Sequence, residues 1–449
     1  MFWTKNVILA VIGGVFLNFV LAIHLTWTSP VLPKLTDPAR SPFGRAITKD
    51  EASWIASIFT IGSILGSQIW NYMAEKAGKK LALLFSAVPC FLSNVIIYYT
   101  TSVELYIFAR FLVGLSVGSL FIYPIYIAEL LHKNLREIIA TVCSCGVCSG
   151  ILFSNSVGPF VSIQTFSLIL GSITAVFLVF FIIFGQEVPH FYIRKNHDVR
   201  ARRVLQDLRG GYEDIDEAFD EIRRRYDEEK SGTLKDLFVS KSSIKAFFIC
   251  ISLMLFHQFS GNNLILIYGE SMIRNIDPEL SSDISMILLS VVVFITSLIA
   301  PPLCMRYRKR MLLIFSAMGM FLAECVLGVY IYYQKYYELP KSLAGVPLTC
   351  LTMFITAHGF GFGPLPFVIL GEIFPNRVKA IASSVISLIL GIVGFLMSKY
   401  FLFVTDAIGM SGFFFCCAFS CLAAAIFTKC CVIETKDKSL EQIQYELSL

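Results

Sequence analysis

A run of apolar residues long enough to cross a lipid bilayer leaves a chain few folds, and this sequence carries such runs from end to end. Residues 165–185 read TFSLILGSITAVFLVFFIIFG, without one charge. About 20 apolar residues in helix span a ~30 Å hydrocarbon core. In that core every backbone N–H and C=O must be bonded internally, which leaves helices or closed β-barrels. Barrels alternate apolar and polar residues, whereas the runs here are continuous, so the expectation is an all-α membrane protein. Composition agrees: 15% of the residues are charged, where a soluble domain carries ~25%.

Twelve spans can be drawn, near 6–29, 52–73, 81–100, 105–128, 138–160, 166–185, 246–268, 284–304, 312–334, 346–370, 380–403 and 409–431. No small-residue cleavage site follows the first, so it reads as a true span and not a signal peptide. Even-numbered loops and both termini hold 28 of the 37 Lys and Arg residues, which puts both termini in the cytoplasm, with the cell membrane as the expected location. The net charge of +5 is therefore a topology signal, and no nucleic-acid partner is expected. The thirteen cysteines lie within or at the ends of apolar runs, so free thiols are expected. Cys143, Cys145 and Cys148 read as packing residues and not as a metal site.

The chain divides into two six-span halves at 1–185 and 246–432, with a charged linker at 186–245 and a tail at 433–449. Val204, Leu205 and Leu208 recur in the linker at helical spacing, which predicts short amphipathic helices. The halves echo one another: EKAGKK at 75–80 and RYRKRM at 306–311, PIYIAELLHKNLR at 124–136 and LPFVILGEIFPNRVK at 365–379, QEVPHF at 186–191 and VIETKDKS at 432–439. Glu129 precedes Arg136 by seven residues, as Glu372 precedes Lys379. Paired halves of this kind characterise secondary transporters, with the substrate near the midplane. Glu129, Glu187, Glu372 and Glu434 can face Lys79, Lys80, Arg136, Lys309, Arg310 and Lys379. We read these charges as an inner gate that latches the halves and releases as they rock.

Polar groups inside spans mark function. Span 7 carries HQFSGNN, in which Gln258 and Asn263 suit sugar hydroxyls or serve as glue between helices, and Gly261 allows a break. Span 10 carries GFGFGPLPF, a second break, with His358 beside it as a cavity-lining or packing residue. Glu324, deep in span 9, is either protonatable or a neutral paired acid. Span 1 has no acid, which favours uncoupled transport. No ATP-binding loop or covalent catalytic set is present, so neither an enzyme nor a cofactor is expected. No oligomer is required.

Several of these stretches resemble the sugar porter family of the major facilitator superfamily. RFLVGLSVGSLFIYPIYIAEL is similar to its span-4 pattern, HQFSGNN to Gln-Gln-x-Ser-Gly-x-Asn, GPLPFVILGEIFP to Gly-Pro-x-Pro-Trp-x-x-x-x-Glu-x-Phe-Pro, and IETKDKSLEQI to its end motif. SWIASIFTIGSILGS and TWTSPVLPKL look most like the insect trehalose facilitators. The resemblance implies a twelve-helix major facilitator fold and facilitative transport of a hexose or trehalose by alternating access. A proton-coupled or non-sugar carrier, or a sugar sensor, is the alternative. It also implies that Gln258 and Asn263 bind sugar and that Tyr268 lies near the outer gate. His257 replaces the first Gln of the pair, Ser144 a sugar-binding Gln and Phe367 the Trp, so all three enter the candidate binding set with His358. Leu390 and Gly391 stand for an Asn-Trp pair, and His190 for an Arg. The pocket is expected to be less polar than usual.

Overall fold

The computed structural model describes residues 4–130, 136–209, 215–228, 234–276, 281–337, 340 and 343–448. It forms two compact units, Met1–Lys230 and Ser231–Leu449, and among the described residues it has helices and no strands.

The N-terminal unit holds α1 (Lys5–Leu25), α2 (Thr28–Leu35), α3 (Lys49–Lys76), α4 (Lys79–Tyr99), α5 (Val103–Val117), α6 (Tyr123–Leu130), α7 (Arg136–Val157), α8 (Ile163–Phe184), α9 (Pro189–Arg194), α10 (Asp198–Arg209) and α11 (Ile215–Glu228). Local signals set the ends. Thr48 and Glu51 form a reciprocal capping box on α3, which satisfies two N–H groups a helix cannot bond itself. Ser102 and Ser162 cap α5 and α8. The linker helices behave as their spacing predicts: Ala201, Leu205, Phe219 and Ile222 form a small buried core of their own. The Thr4 hydroxyl donates to the Leu208 carbonyl at 3.0 Å and ties α10 to the start of α1. Helices α9, α10 and α11 fall within the N-terminal unit.

The C-terminal unit holds α12 (Leu234–Leu237), α13 (Lys241–Phe259), α14 (Asn262–Ile276), α15 (Ser282–Arg306), α16 (Lys309–Tyr336), α17 (Val346–Phe360), α18 (Leu365–Ile373), α19 (Asn376–Cys431) and α20 (Leu440–Ser448). Helix α19 leaves helical geometry at Gly409, with φ 77° and ψ 163°. The rings of Phe401 and Phe413 lie 5.1 Å apart, whereas twelve residues of straight helix extend ~18 Å. The chain thus doubles back at Gly409 and α19 supplies two spans. With the other ten long apolar stretches there are twelve crossings.

Four spans are built from two helices in series: Lys5–Leu35, Val103–Ile127, Lys241–Ile276 and Val346–Ile373. These are spans 1, 4, 7 and 10, one in every three. Irregular backbone at membrane depth is tolerated where protein buries it or where it lines a cavity. The outward faces carry large apolar side chains, among them Phe315 at 69% exposure and Phe419 at 72%. Patches of that kind are a liability in water and are the natural surface in lipid. Tyr332, Tyr333, Tyr336 and Tyr337 cluster at the end of α16, the sort of aromatic group found where a span meets the headgroups.

Candidate functional site

The break in span 7 presents the polar groups that its sequence singled out. Helix α13 ends at Phe259 and α14 starts at Asn262. Gly261 between them has φ 78°, a conformation glycine adopts without a steric penalty. A Cβ there would also stand 3.2 Å from Cys417 Sγ. The turn brings Asn263 back onto Gln258, and Asn263 Nδ2 donates to Gln258 Oε1 at 2.8 Å. That bond leaves Gln258 Nε2 as a donor and Asn263 Oδ1 as an acceptor with no partner among the described residues.

Span 10 brings a second set to the same place. His358 lies in the last turn of α17, and its carbonyl accepts from the N–H groups of Gly361 at 3.2 Å and Gly363 at 2.7 Å. Its ring lies 5.3 Å from the His257 ring, and Phe367 packs edge-on to His257 at 5.6 Å. Both imidazoles are buried, at 8% exposure each. His257 Nδ1 and His358 Nε2 are buried without a hydrogen-bond partner among the described residues. Leaving such an atom unpaired costs ~1–3 kcal/mol, and two buried imidazole nitrogens and two amide atoms are left uncommitted at the breaks of spans 7 and 10.

The remaining sequence candidates are distributed differently. Tyr268 is fully buried, with its ring 4.7 Å from that of Phe401. Its hydroxyl donates to the Ser398 carbonyl at 2.8 Å, which fastens α14 to α19. Ser144 belongs to the other unit and is exposed on α7. Glu324 is buried at 3% exposure and accepts from Cys421 Sγ at 3.3 Å.

The charges expected to form a gate fall into two networks of one design. In the N-terminal unit Glu187 accepts from the backbone N–H of Lys79 at 3.0 Å and of Lys80 at 3.1 Å, so a carboxylate closes the positive end of α4. Lys79 Nζ pairs with Glu129, and His190 Nδ1 lies 3.9 Å from the same carboxylate. Burial pushes the Glu187 carboxyl above its ordinary value, against three backbone hydrogen bonds and the Lys79 charge, which pull the other way. In the C-terminal unit Glu434 accepts from the N–H groups of Lys309 and Arg310 at 3.2 Å each. Lys309 Nζ donates to both oxygens of Glu372 at 2.5 and 2.6 Å. Lys379 Nζ donates to the Gly371 carbonyl, and the Arg136 side chain lies outside the described residues. Each ion pair described joins residues of one unit.

A third buried group gives a weaker signal in the sequence. Arg110, inside span 4, is wholly buried. It donates to the His24 carbonyl at 2.9 Å and to Thr28 Oγ1 at 3.0 Å. It also lies over the rings of Trp27 and Phe59, at 5.1 and 5.2 Å. His24 itself bonds the Val20 carbonyl and Asn94, both at 2.7 Å. No carboxylate is among the described partners of Arg110. An arginine in an otherwise apolar span is the one signal that could have found it.

Twelve spans in two related units, with every third span broken around polar groups, define a polytopic solute carrier. Residues 13–447 match the family model described as "Sugar (and other) transporter", and the chain belongs to that family. It is 28% identical to a facilitated trehalose transporter homologue of Drosophila simulans, covering 99% of this chain and 91% of the other. It is also 28% identical to the facilitated trehalose transporter of Apis mellifera ligustica, covering 97% and 87%. Among solved structures, the partially occluded inward-open xylose transporter of E. coli matches with a TM-score of 0.79 at 20% identity, over 97% of this chain and all of the other. That likeness supports the major facilitator fold.

Proposed function

We propose that the protein is a facilitative carrier that moves a hexose or trehalose by alternating access, with the break in span 7 as its sugar contact. The observation that carries this reading is the set of four uncommitted atoms at Gln258, Asn263, His257 and His358. Amides and neutral imidazoles both donate and accept, as a ring of hydroxyls requires. Phe367 supplies an apolar surface beside them.

Uncoupled transport is favoured by Arg110, which is held by a carbonyl, a hydroxyl and two rings. A proton-driven carrier needs a titratable group in its path. Glu324 supports a second, coupled reading, since its buried carboxyl faces a thiol and no cation among its described bonds. The two charge networks form the inner gate in this proposal, on the cytoplasmic side of the cell membrane with both termini.

The deciding experiment is uptake of labelled glucose and trehalose into vesicles holding the purified protein, with and without a pH gradient. Uptake of either sugar that ignores the gradient is expected. Uptake abolished by collapsing the gradient, and by Glu324→Gln, would establish the coupled reading. No uptake of either sugar by correctly inserted protein would overturn sugar transport.

A further inference from the structure

Where spans 8, 9 and 12 meet the tail, the chain gathers basic side chains beyond those of the gate. Residues 284–323 contain four basic residues, Arg306, Arg308, Lys309 and Arg310, and no acid. The counterpart stretch of the other half, EKAGKK at 75–80, carries Glu75. Two bonds draw this basic turn against the end of α19. Arg310 Nη2 donates to the Lys429 carbonyl, and Lys436 Nζ donates to the Arg306 carbonyl at 2.7 Å. Both acceptors are neutral, so the charges stay uncompensated. The acids close by are engaged elsewhere: Glu434 holds the N–H groups of Lys309 and Arg310, and Glu372 holds the Lys309 ammonium. Among the described residues no carboxylate pairs with Arg306, Arg308, Arg310, Lys429 or Lys436. Six cations at 306, 308, 309, 310, 429 and 436 thus stand against three acids, Glu372, Glu434 and Asp437. Arg306, Arg308 and Lys429 are exposed. So are Met305, Met311 and Ile426, each within a helical turn on the membrane side of the charges.

We propose that this patch binds the headgroup of a phosphoinositide, a lipid carrying several phosphates, in the leaflet beside it. Three arginines favour phosphate, because a guanidinium gives two parallel N–H bonds to the oxygens of one phosphate. Clusters of Lys and Arg immediately cytoplasmic of a span are the usual sites for such headgroups. Met305, Met311 and Ile426 put apolar surface beside the charges, which suits a headgroup that carries acyl chains and not a soluble phosphate. One headgroup held there would join the ends of spans 8, 9 and 12. The cytoplasmic side of the patch rests on the topology proposed above. Binding to solubilised protein, which has no sides, does not.

The test titrates the full chain, purified in detergent, with dioctanoyl phosphatidylinositol bisphosphate and counts bound lipid by native mass spectrometry. Saturable binding of the parent is expected. Arg306→Gln, Arg308→Gln and Lys436→Gln should each weaken it about fivefold, and Arg306→Gln with Arg308→Gln about 30-fold. These side chains lie at the surface, and thermal unfolding without lipid checks that each variant is folded. Arg194→Gln with Arg200→Gln removes two exposed arginines of the N-terminal unit and should leave binding unchanged. Equal losses from the two double variants, or no loss from Arg306→Gln with Arg308→Gln, would overturn the site. Inositol trisphosphate binding as tightly as the lipid would overturn the bilayer as the source. Phosphatidylserine binding as tightly would overturn the polyphosphate headgroup. Trypsin that cuts at Arg308 when added outside intact cells would overturn the topology and, with it, a lipid of the cytoplasmic leaflet as the partner, whatever binds in detergent.

Discussion

The two halves are alike at their charged ends and unlike at their middles. At the ends, a lysine opens a helix, a distant glutamate closes that helix over two backbone N–H groups, and a second glutamate takes the ammonium. In the middle, the N-terminal half buries Arg110, His24 and Asn94 in bonds to one another and to backbone. The C-terminal half leaves amide and imidazole atoms uncommitted at a break. The frame is built twice, and the uncommitted amide and imidazole atoms proposed to meet a solute lie in the C-terminal half.

Even within the frame the two copies differ, and the difference can be broken experimentally. Gly78, before α4, has φ 105°, and a Cβ there would come within 2.2 Å of Glu187 Oε2. Its counterpart Arg308 has φ −66°, open to any residue. Gly78→Val should therefore cost about 3 kcal/mol through strain and the displaced carboxylate, and Arg308→Val within about 0.5 kcal/mol. Thermal unfolding in detergent checks both, and equal losses would refute the distinction.

The middles predict the next largest effect. Gln258→Ala and Asn263→Ala should each lower sugar uptake about tenfold, the effect of removing one hydrogen bond to the solute. His257→Gln keeps a donor and acceptor and should transport as well as the parent or better. Asn94→Ala, the buried amide of the other half, should lower stability and leave the KM of folded protein unchanged. A raised KM in Asn94→Ala would place substrate contacts in both halves.

Glu187 sharpens the comparison by pH. Its carboxyl titrates above its ordinary value of 4.5 because burial disfavours the charge. The folded group thus binds its proton more tightly than the unfolded one. Its contribution to stability is full below about 4.5 and is lost as pH rises through the folded value. The melting temperature of the parent should rise from pH 7 to pH 5 relative to Glu187→Gln, and parallel curves would reject this. Losing the carboxylate from its helix end in Glu434→Gln should cost about 1 kcal/mol. The smallest effect is expected from Lys309→Met and Lys79→Met, where a partly exposed pair is worth about 0–1 kcal/mol. Their signature should be a changed ratio of inward to outward transport rates, and unchanged ratios in both would remove the ammonium groups from the gate.

Much of this architecture can be read without coordinates. Apolar runs mark the spans, and the glycines and prolines of HQFSGNN and GFGFGPLPF mark the breaks in spans 7 and 10. The breaks in spans 1 and 4 are not legible. There the chain bends at Trp27 and through a short 3₁₀ turn at Gly118–Phe121, where Pro30, Pro33 and Pro124 follow the bends without the glycine clusters of spans 7 and 10. The gate charges are legible as charges, but their partners are not. Glu187 and Glu434 bind backbone N–H groups, which every residue but proline has and no sequence pattern advertises. Arg110 is hidden differently: its partners are a carbonyl, a hydroxyl and two rings, none of which carries an opposite charge to search for.

The turn at Gly409 has a mechanical consequence. One residue outside helical geometry joins the two arms of α19, so there is no slack between them. Any force that tilts one must drag the other. A peptide tag placed after Ile408 would find no loop to occupy and would have to unwind a turn of helix to make one.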